Sequence, residues 1–211
     1  MDPVFRNVWT LQLAGPTCSG KTQWTKKVLK YIDELTDAPV ENVFWCYGIV
    51  TKDLAEIEQN PKVKLIEGPP SMEMLQEYKH QRNLVIIDDL MNELKNSSVL
   101  NDFFTKGAHH LNTCVLNITQ NLFASKDRTA RINTSYIVLT KSPADKLQIQ
   151  VLARQLYPEN KKFLIDAYTD AVARPFGYLV IDCSPFNMDD ERRILTNIFP
   201  DEGDTIVYVP K

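Results

Sequence analysis

Short unbroken apolar runs recur along this chain at Val8 to Ala14, Val43 to Gly48, Val63 to Ile66, Leu84 to Ile87, Thr113 to Thr119 and Ser135 to Thr140. Runs this short and rich in β-branched residues predict strands covered on both faces, the signature of a parallel sheet. Between them the period changes. Trp24, Val28, Tyr31, Ile32 and Leu35 return at helical spacing, with Lys26, Lys27 and Lys30 on the opposite side, which predicts a helix packed on the sheet. Gly68-Pro69-Pro70 breaks the chain before a helix that Ser71 caps, with Met72, Leu75 and Tyr78 facing inward. Ser142-Pro143-Ala144-Asp145 predicts a further helix, with proline at its first position, running to about Leu156 before Pro158. Gly177 to Cys183 and Thr205 to Val209 read as strands, with Asp201-Glu202-Gly203-Asp204 as an acidic turn between them. Strands alternating with helices predict an α/β fold with a mostly parallel central sheet, helices on both faces and a short β-rich C-terminal extension.

The 211 residues, 44% of them hydrophobic, are enough for one full core, so the expectation is a single domain over residues 1–211. Its core spans about 5–176 and its extension about 177–211. A formal net charge of −3 gives the molecule no overall basic field, so any contact with nucleic acid must come from local patches. Cys18, Cys46, Cys114 and Cys183 are scattered without C-x-x-C spacing, and three lie in strand-like runs; they read as reduced thiols. No apolar run is long enough for a membrane span, and the N-terminus lacks a basic-then-apolar signal pattern. The expectation is a protein without a membrane partner that is not secreted by that route.

Chemistry concentrates in Gly15-Pro16-Thr17-Cys18-Ser19-Gly20-Lys21-Thr22, a complete G-x-x-x-x-G-K-[ST] loop between a predicted strand and a predicted helix. The glycines let the backbone close around phosphates, successive N–H groups point inward, and the following helix presents its positive end. Lys21 then holds the β- and γ-phosphates and Thr22 ligates Mg²⁺, which makes ATP and Mg²⁺ the expected cofactors. Leu84-Val85-Ile86-Ile87-Asp88-Asp89 is an apolar strand ending in two carboxylates, the form of a Walker B strand. Asp88 fits the metal role and Asp89 the base that polarises water. Asp is shorter than the Glu more often found there, and Glu93 is the alternative base. The strand around Val43 to Gly48, between the two motifs, points to the additional-strand class of P-loop ATPases. Gln120, directly after the strand Thr113 to Thr119, stands where that class carries a polar sensor of the γ-phosphate.

Together these residues resemble the FtsK/HerA-type genome-packaging ATPases of eukaryotic DNA viruses and of polinton and adintovirus-like elements, distant relatives of the poxvirus packaging ATPase. The carriers are GPTCSGKT at 15–22, IIDDL at 86–90, FTKGAHHLNTCVLNITQNLF at 104–123, RINTSYIVL at 131–139 and NIFPDEGDTIVYVPK at 197–211. The first two are generic to P-loop ATPases; the last three are more specific. The resemblance covers nearly the whole chain. It implies a RecA/FtsK-like fold and ATP·Mg²⁺ bound by Lys21 and Thr22. Asp88 and Asp89 become the Walker B pair and Gln120 the sensor. It further implies a pentameric or hexameric ring around double-stranded DNA, docked on a capsid vertex or portal. Such a motor works inside the host cell, in the viral factory, nucleus or cytoplasm, and in association with the virion.

A ring ATPase completes its site with an arginine from the next subunit. Arg131 and Arg128 are the candidates here, with Arg131 preferred because it belongs to the RINT segment; Arg154, Arg174 and Arg193 stay open. For DNA, Lys106, His109 and His110 cluster before the sensor strand and Lys126 follows it, and phosphate contacts need only such local charge. The C-terminal stretch is either a plain extension of the sheet or a docking element. Two other functions share the phosphate loop: a nucleoside or nucleotide kinase, or a viral helicase-type enzyme. A binding module that holds ATP without turning it over is the third alternative.

Overall fold

The computed structural model describes residues 4–94, 98–107, 110–123 and 129–211. The strands are β1 (Thr10–Ala14), β2 (Asn42–Tyr47), β3 (Val63–Glu67), β4 (Asn83–Asp88), β5 (Thr113–Thr119), β6 (Tyr136–Thr140), β7 (Tyr178–Asp182), β8 (Ile194–Thr196) and β9 (Ile206–Tyr208). Among the described residues they form one nine-stranded sheet in the order β3-β2-β4-β5-β1-β6-β7-β8-β9. The six strands from β3 to β6 are parallel, and β7, β8 and β9 continue the sheet antiparallel. The strand that separates β1 from β4 is β5. The additional-strand expectation therefore holds, but through β5 and not through the Val43 to Gly48 run, which becomes β2 on the far side of β4.

Alternation along the strands sorts the core into two faces. Leu11, Leu13, Leu84, Ile86, Leu116, Val138 and Val180 point to one face, where α1 (Lys21–Leu35) lays down Trp24, Val28, Ile32 and Leu35, and α2 (Lys52–Ile57) adds Leu54 and Ile57. On the other face, Ile137, Leu139, Leu179 and Ile181 pack under the helices Leu147–Leu156 and Lys161–Ala171. Farther along that face, Val85, Ile87 and Val115 pack under Leu75, Phe103 and Phe104 from the short helical segments between β3 and β5. The central strands are buried on both sides, which is why their sequences read as unbroken apolar runs.

The helix expected from Ser142 starts only at Leu147. Ser142 and Asp145 are taken by tertiary contacts: the Ser142 N–H donates to the Tyr168 hydroxyl, and Asp145 accepts from the Leu147 N–H, Asn121 and Gln148. The Ser71 hydroxyl accepts from the Met74 N–H, but Ser71 is not the cap: Glu73–Tyr78 is a 3₁₀ helix whose N-cap is Met72. The C-terminal stretch is an extension of the sheet, tied back to α1 by Lys27, which pairs with Asp201 and Glu202 in the acidic turn. Cys46 and Cys114 are buried, Cys183 is half-buried and Cys18 is exposed, all as free thiols.

Candidate functional site

The phosphate loop leaves the C-terminal end of β1 and enters α1 through Gly20, whose φ of 94° is left-handed. At Gly20 an added Cβ would also stand 2.8 Å from Phe176 Cδ1, so glycine is required for both backbone and space. At Gly15 an added Cβ would stand 1.8 Å from Thr140 Oγ1. That hydroxyl donates to Ser19 Oγ at 2.7 Å, tying the loop to β6. The first turn of α1 has no acidic residue and no side-chain cap, so its N–H groups and positive end are left for an anion. Lys21 turns back over the loop and donates to the Gly15 and Pro16 carbonyls at 2.7 and 2.8 Å. Burial lowers its pKa, opposed by the charges of Asp89 and Asp88.

Beside the loop, β4 ends at Asp88, and Asp89 follows directly after it. The indole of Trp45, fully buried in β2, donates to Asp88 Oδ2 at 3.2 Å. Burial raises the Asp88 pKa, the Trp45 hydrogen bond lowers it and the charge of Asp89 raises it again. Asp89 adopts a left-handed φ of 51°, which turns it out of the strand. From the end of β5, Gln120 Nε2 donates to the Asp89 carboxylate at 3.3 and 3.5 Å.

Thr17, Cys18, Gly20, Lys21, Thr22, Asp88, Asp89, Gln120 and Phe176 all line one open cavity of about 530 Å³, together with Gln23, Ile49, Thr51, Asp53 and Ile118. Two oxygen donors that line this cavity, Thr22 at the end of the phosphate loop and Asp88 beside it, suit a Mg²⁺ ion that keeps most of its waters. No group of three or more His, Cys, Asp or Glu side chains among the described residues forms a closed metal cage.

No protein-family model and no curated protein matches the sequence. Solved structures do match the fold. The genome packaging NTPase B204 from Sulfolobus turreted icosahedral virus 2, in complex with ATP-γ-S, is 10% identical with a TM-score of 0.56 over 100% of both chains. B204, the DNA-packaging ATPase of Sulfolobus turreted icosahedral virus, is 9% identical with a TM-score of 0.56, also over 100% of both chains. EssC (ATPases 2 and 3) from Geobacillus thermodenitrificans is 12% identical with a TM-score of 0.53, over 96% of this chain and 40% of its own. The chain has the fold of these ATPases. This mostly parallel α/β sheet, with helices on both faces and the phosphate loop after β1, is the fold class that the sequence predicts.

The remaining sequence candidates are spread more widely. Glu93 is exposed and does not line the cavity; a Cβ at Gly48 would stand 3.5 Å from its carboxylate. Arg131 stacks its guanidinium on Phe123, 5.0 Å from the ring centroid, and does not line the cavity of its own chain. Arg154 is exposed on its helix, Arg174 bonds Asn197, and Arg193 is held by the Asp182, Ser184 and Asn187 carbonyls and by Asp190. Lys106 and His110 are exposed before the N-terminal end of β5, at the opposite end of the sheet from the cavity, and Lys106 pairs with Asp102 at 2.9 Å. Arg128, Lys126 and His109 lie outside the described residues. No helix among the described residues is long and apolar enough to cross a membrane.

Sequence reasoning missed Trp45 and Phe176, which meet the site only through the fold. An exposed Phe between proline and glycine, at 175–177, is the one local sign that could have flagged the latter.

Proposed function

We propose that this chain is the ATP-hydrolysing subunit of a motor that drives double-stranded DNA into a viral capsid. The observation that carries the proposal is the convergence of Lys21, Thr22, Asp88, Asp89 and Gln120 on one cavity, at the C-terminal ends of β1, β4 and β5. The likeness to B204 over the full length of both chains supports the packaging reading against a kinase or helicase.

In this reading the loop N–H groups and the α1 N-terminus hold the phosphates, and Lys21 exchanges the Gly15 and Pro16 carbonyls for β/γ-phosphate oxygens. Thr22 and Asp88 hold Mg²⁺, which when bound supplies positive charge to the transferring phosphoryl group. Asp89 polarises the attacking water, while Gln120 positions that carboxylate and senses the γ-phosphate. Subunits assemble into a ring, where Arg131 or Arg128 of one chain completes the site of the next; such an arginine contributes about 10³ to 10⁵ in rate. Lys106, His109, His110 and Lys126 supply DNA-phosphate contacts, and the β7 to β9 edge docks on a neighbour or the capsid vertex.

Steady-state ATP hydrolysis, measured with and without long double-stranded DNA and with Lys21→Ala as the blank, tests the proposal. Turnover that rises with DNA and vanishes in the variant is expected. DNA-insensitive turnover, or phosphate passed to an added nucleoside, overturns it in favour of a kinase.

A further inference from the structure

Phe176 is exposed over 70% of its surface, yet its backbone is held in the left-handed region at φ 58°. Residues carrying a Cβ rarely adopt that conformation, and where they do the surrounding structure imposes it. The imposing contacts are present. The Gly177 N–H donates to the Arg174 carbonyl at 3.1 Å, and Arg174 is itself anchored on Asn197. A Cβ at Gly177 would stand 2.3 Å from the Ala171 carbonyl, so the turn has no slack. The result is a rigid turn that presents an aromatic ring to the cavity wall beside Gly20 instead of burying it in the core.

The strand order says which part of a nucleotide this ring meets. Asp88, Asp89 and Gln120 follow β4 and β5, on one side of β1; Phe176 precedes β7, on the other side. Tyr178 pairs with Thr140, the residue that holds Ser19 of the loop, which sets Phe176 at the same end of the sheet as the phosphate site. A triphosphate seated in the loop with its terminal group toward Asp89 leaves its nucleoside to emerge toward β6 and β7. Among the described residues, Phe176 is the one lining side chain contributed from that side. No amide or carboxylate accompanies it there, and Gln23 is engaged with Asp53 at 3.4 Å.

We infer that Phe176 is the stacking platform for the nucleobase, and that the site recognises the base by its π-face without reading its hydrogen-bonding edge. The inference rests on the nucleotide-binding reading above and deepens it: stacking on an aromatic ring is tolerant of base identity because every base has a π-face. The substrate class is then nucleoside triphosphates without selection by the base edge, with adenine and guanine accepted alike.

Calorimetric titration of the full chain with ATP, GTP and inorganic tripolyphosphate, with Mg²⁺ present, tests this. Wild type is expected to bind ATP and GTP within about threefold of each other, and Phe176→Ala to weaken both by about tenfold or more while leaving tripolyphosphate unchanged. Phe176→Leu, which keeps apolar bulk against Gly20 without a ring, should behave like the alanine variant, and Phe176→Trp should retain binding. Equal ATP affinity in wild type and Phe176→Ala would overturn the platform while leaving the nucleotide site standing. Loss of tripolyphosphate along with ATP in a folded Phe176→Ala chain would make the ring a support for the loop, again overturning the platform. Strong preference of wild type for ATP over GTP overturns recognition by the π-face alone. Failure of wild type to bind either ATP or tripolyphosphate removes the nucleotide-binding reading itself.

Discussion

Gln120 at the end of β5 holds Asp89 at the end of β4, its amide 3.3 Å from one carboxylate oxygen and 3.5 Å from the other. The proposed sensor and the proposed base are therefore one polar unit, and a change in either reaches the other. Asp89→Asn and Gln120→Ala should each lower kcat by about 10² to 10⁴, the range of general acid–base contributions, with nucleotide affinity within about threefold of wild type. Because the two residues share one interaction, the double variant should lose less than the sum of the single losses. Near-normal turnover by Asp89→Asn, combined with a large loss in Glu93→Gln, would move the base to Glu93.

The buried Trp45 indole fixes the orientation of Asp88 through a 3.2 Å hydrogen bond. Partners of metal-ligating groups typically contribute 10- to 100-fold to metal affinity. Trp45→Phe should thus weaken nucleotide binding by about 10-fold or more in Mg²⁺ and leave binding in EDTA unchanged. Equal weakening in both conditions would mean that the variant disturbs the sheet and not the carboxylate.

The legible parts of this chain are those where chemistry or geometry constrains consecutive residues. The loop at 15–22 and the strand ending in Asp88-Asp89 could be placed because phosphate binding demands those residue types in that order. The six parallel strands could be placed because burial on both faces removes polar residues from the run. What escaped depends on contacts between distant segments. Trp45 reaches Asp88 across 43 positions, and Asp145 is drawn from a helix start into bonds with Asn121 and Gln148. β8, three residues long, is too short to show a period. The trans arginine of the proposed ring is hard to read for another reason: its partner would lie on a second chain, so nothing in its own sequence marks it.

Gly15 is required by the close approach of β6, since an added Cβ would stand 1.8 Å from Thr140 Oγ1 and 3.2 Å from Thr140 Cβ. Gly15→Ala must push the loop off β6 and break the Thr140 to Ser19 bond. ATP affinity should fall by about tenfold or more, with a stability loss of about 1–3 kcal/mol for the overpacked contact. Thr140→Ala removes the nearer atom, so the double variant should regain part of both losses. No recovery in the double variant would place the constraint in the backbone and not in the Thr140 contact.

Stability should fall on the alkaline side. Burial pushes the Cys46, Cys114 and Cys183 thiols up to about 12, and burial also raises Tyr136 and Tyr178 well above the usual phenol range. All five stay protonated in the fold at pH values where the unfolded chain releases those protons. Above an unfolded pKa of about 8.5 for thiols and about 10 for phenols, the unfolded state therefore binds fewer protons than the native state. Stability then decreases with pH, by about 1.4 kcal/mol per unit for each group between its two pKa values. Urea midpoints measured from pH 7 to 11 should decline from about 8.5 and more steeply beyond about 10. Tyr178→Phe should flatten the upper part of that decline. At neutral pH the same variant should cost about 1–3 kcal/mol, because the Ile198 N–H, which donates to the Tyr178 hydroxyl at 2.9 Å, loses its acceptor. An unchanged slope above pH 10 in Tyr178→Phe would show that this phenol ionises in the folded protein.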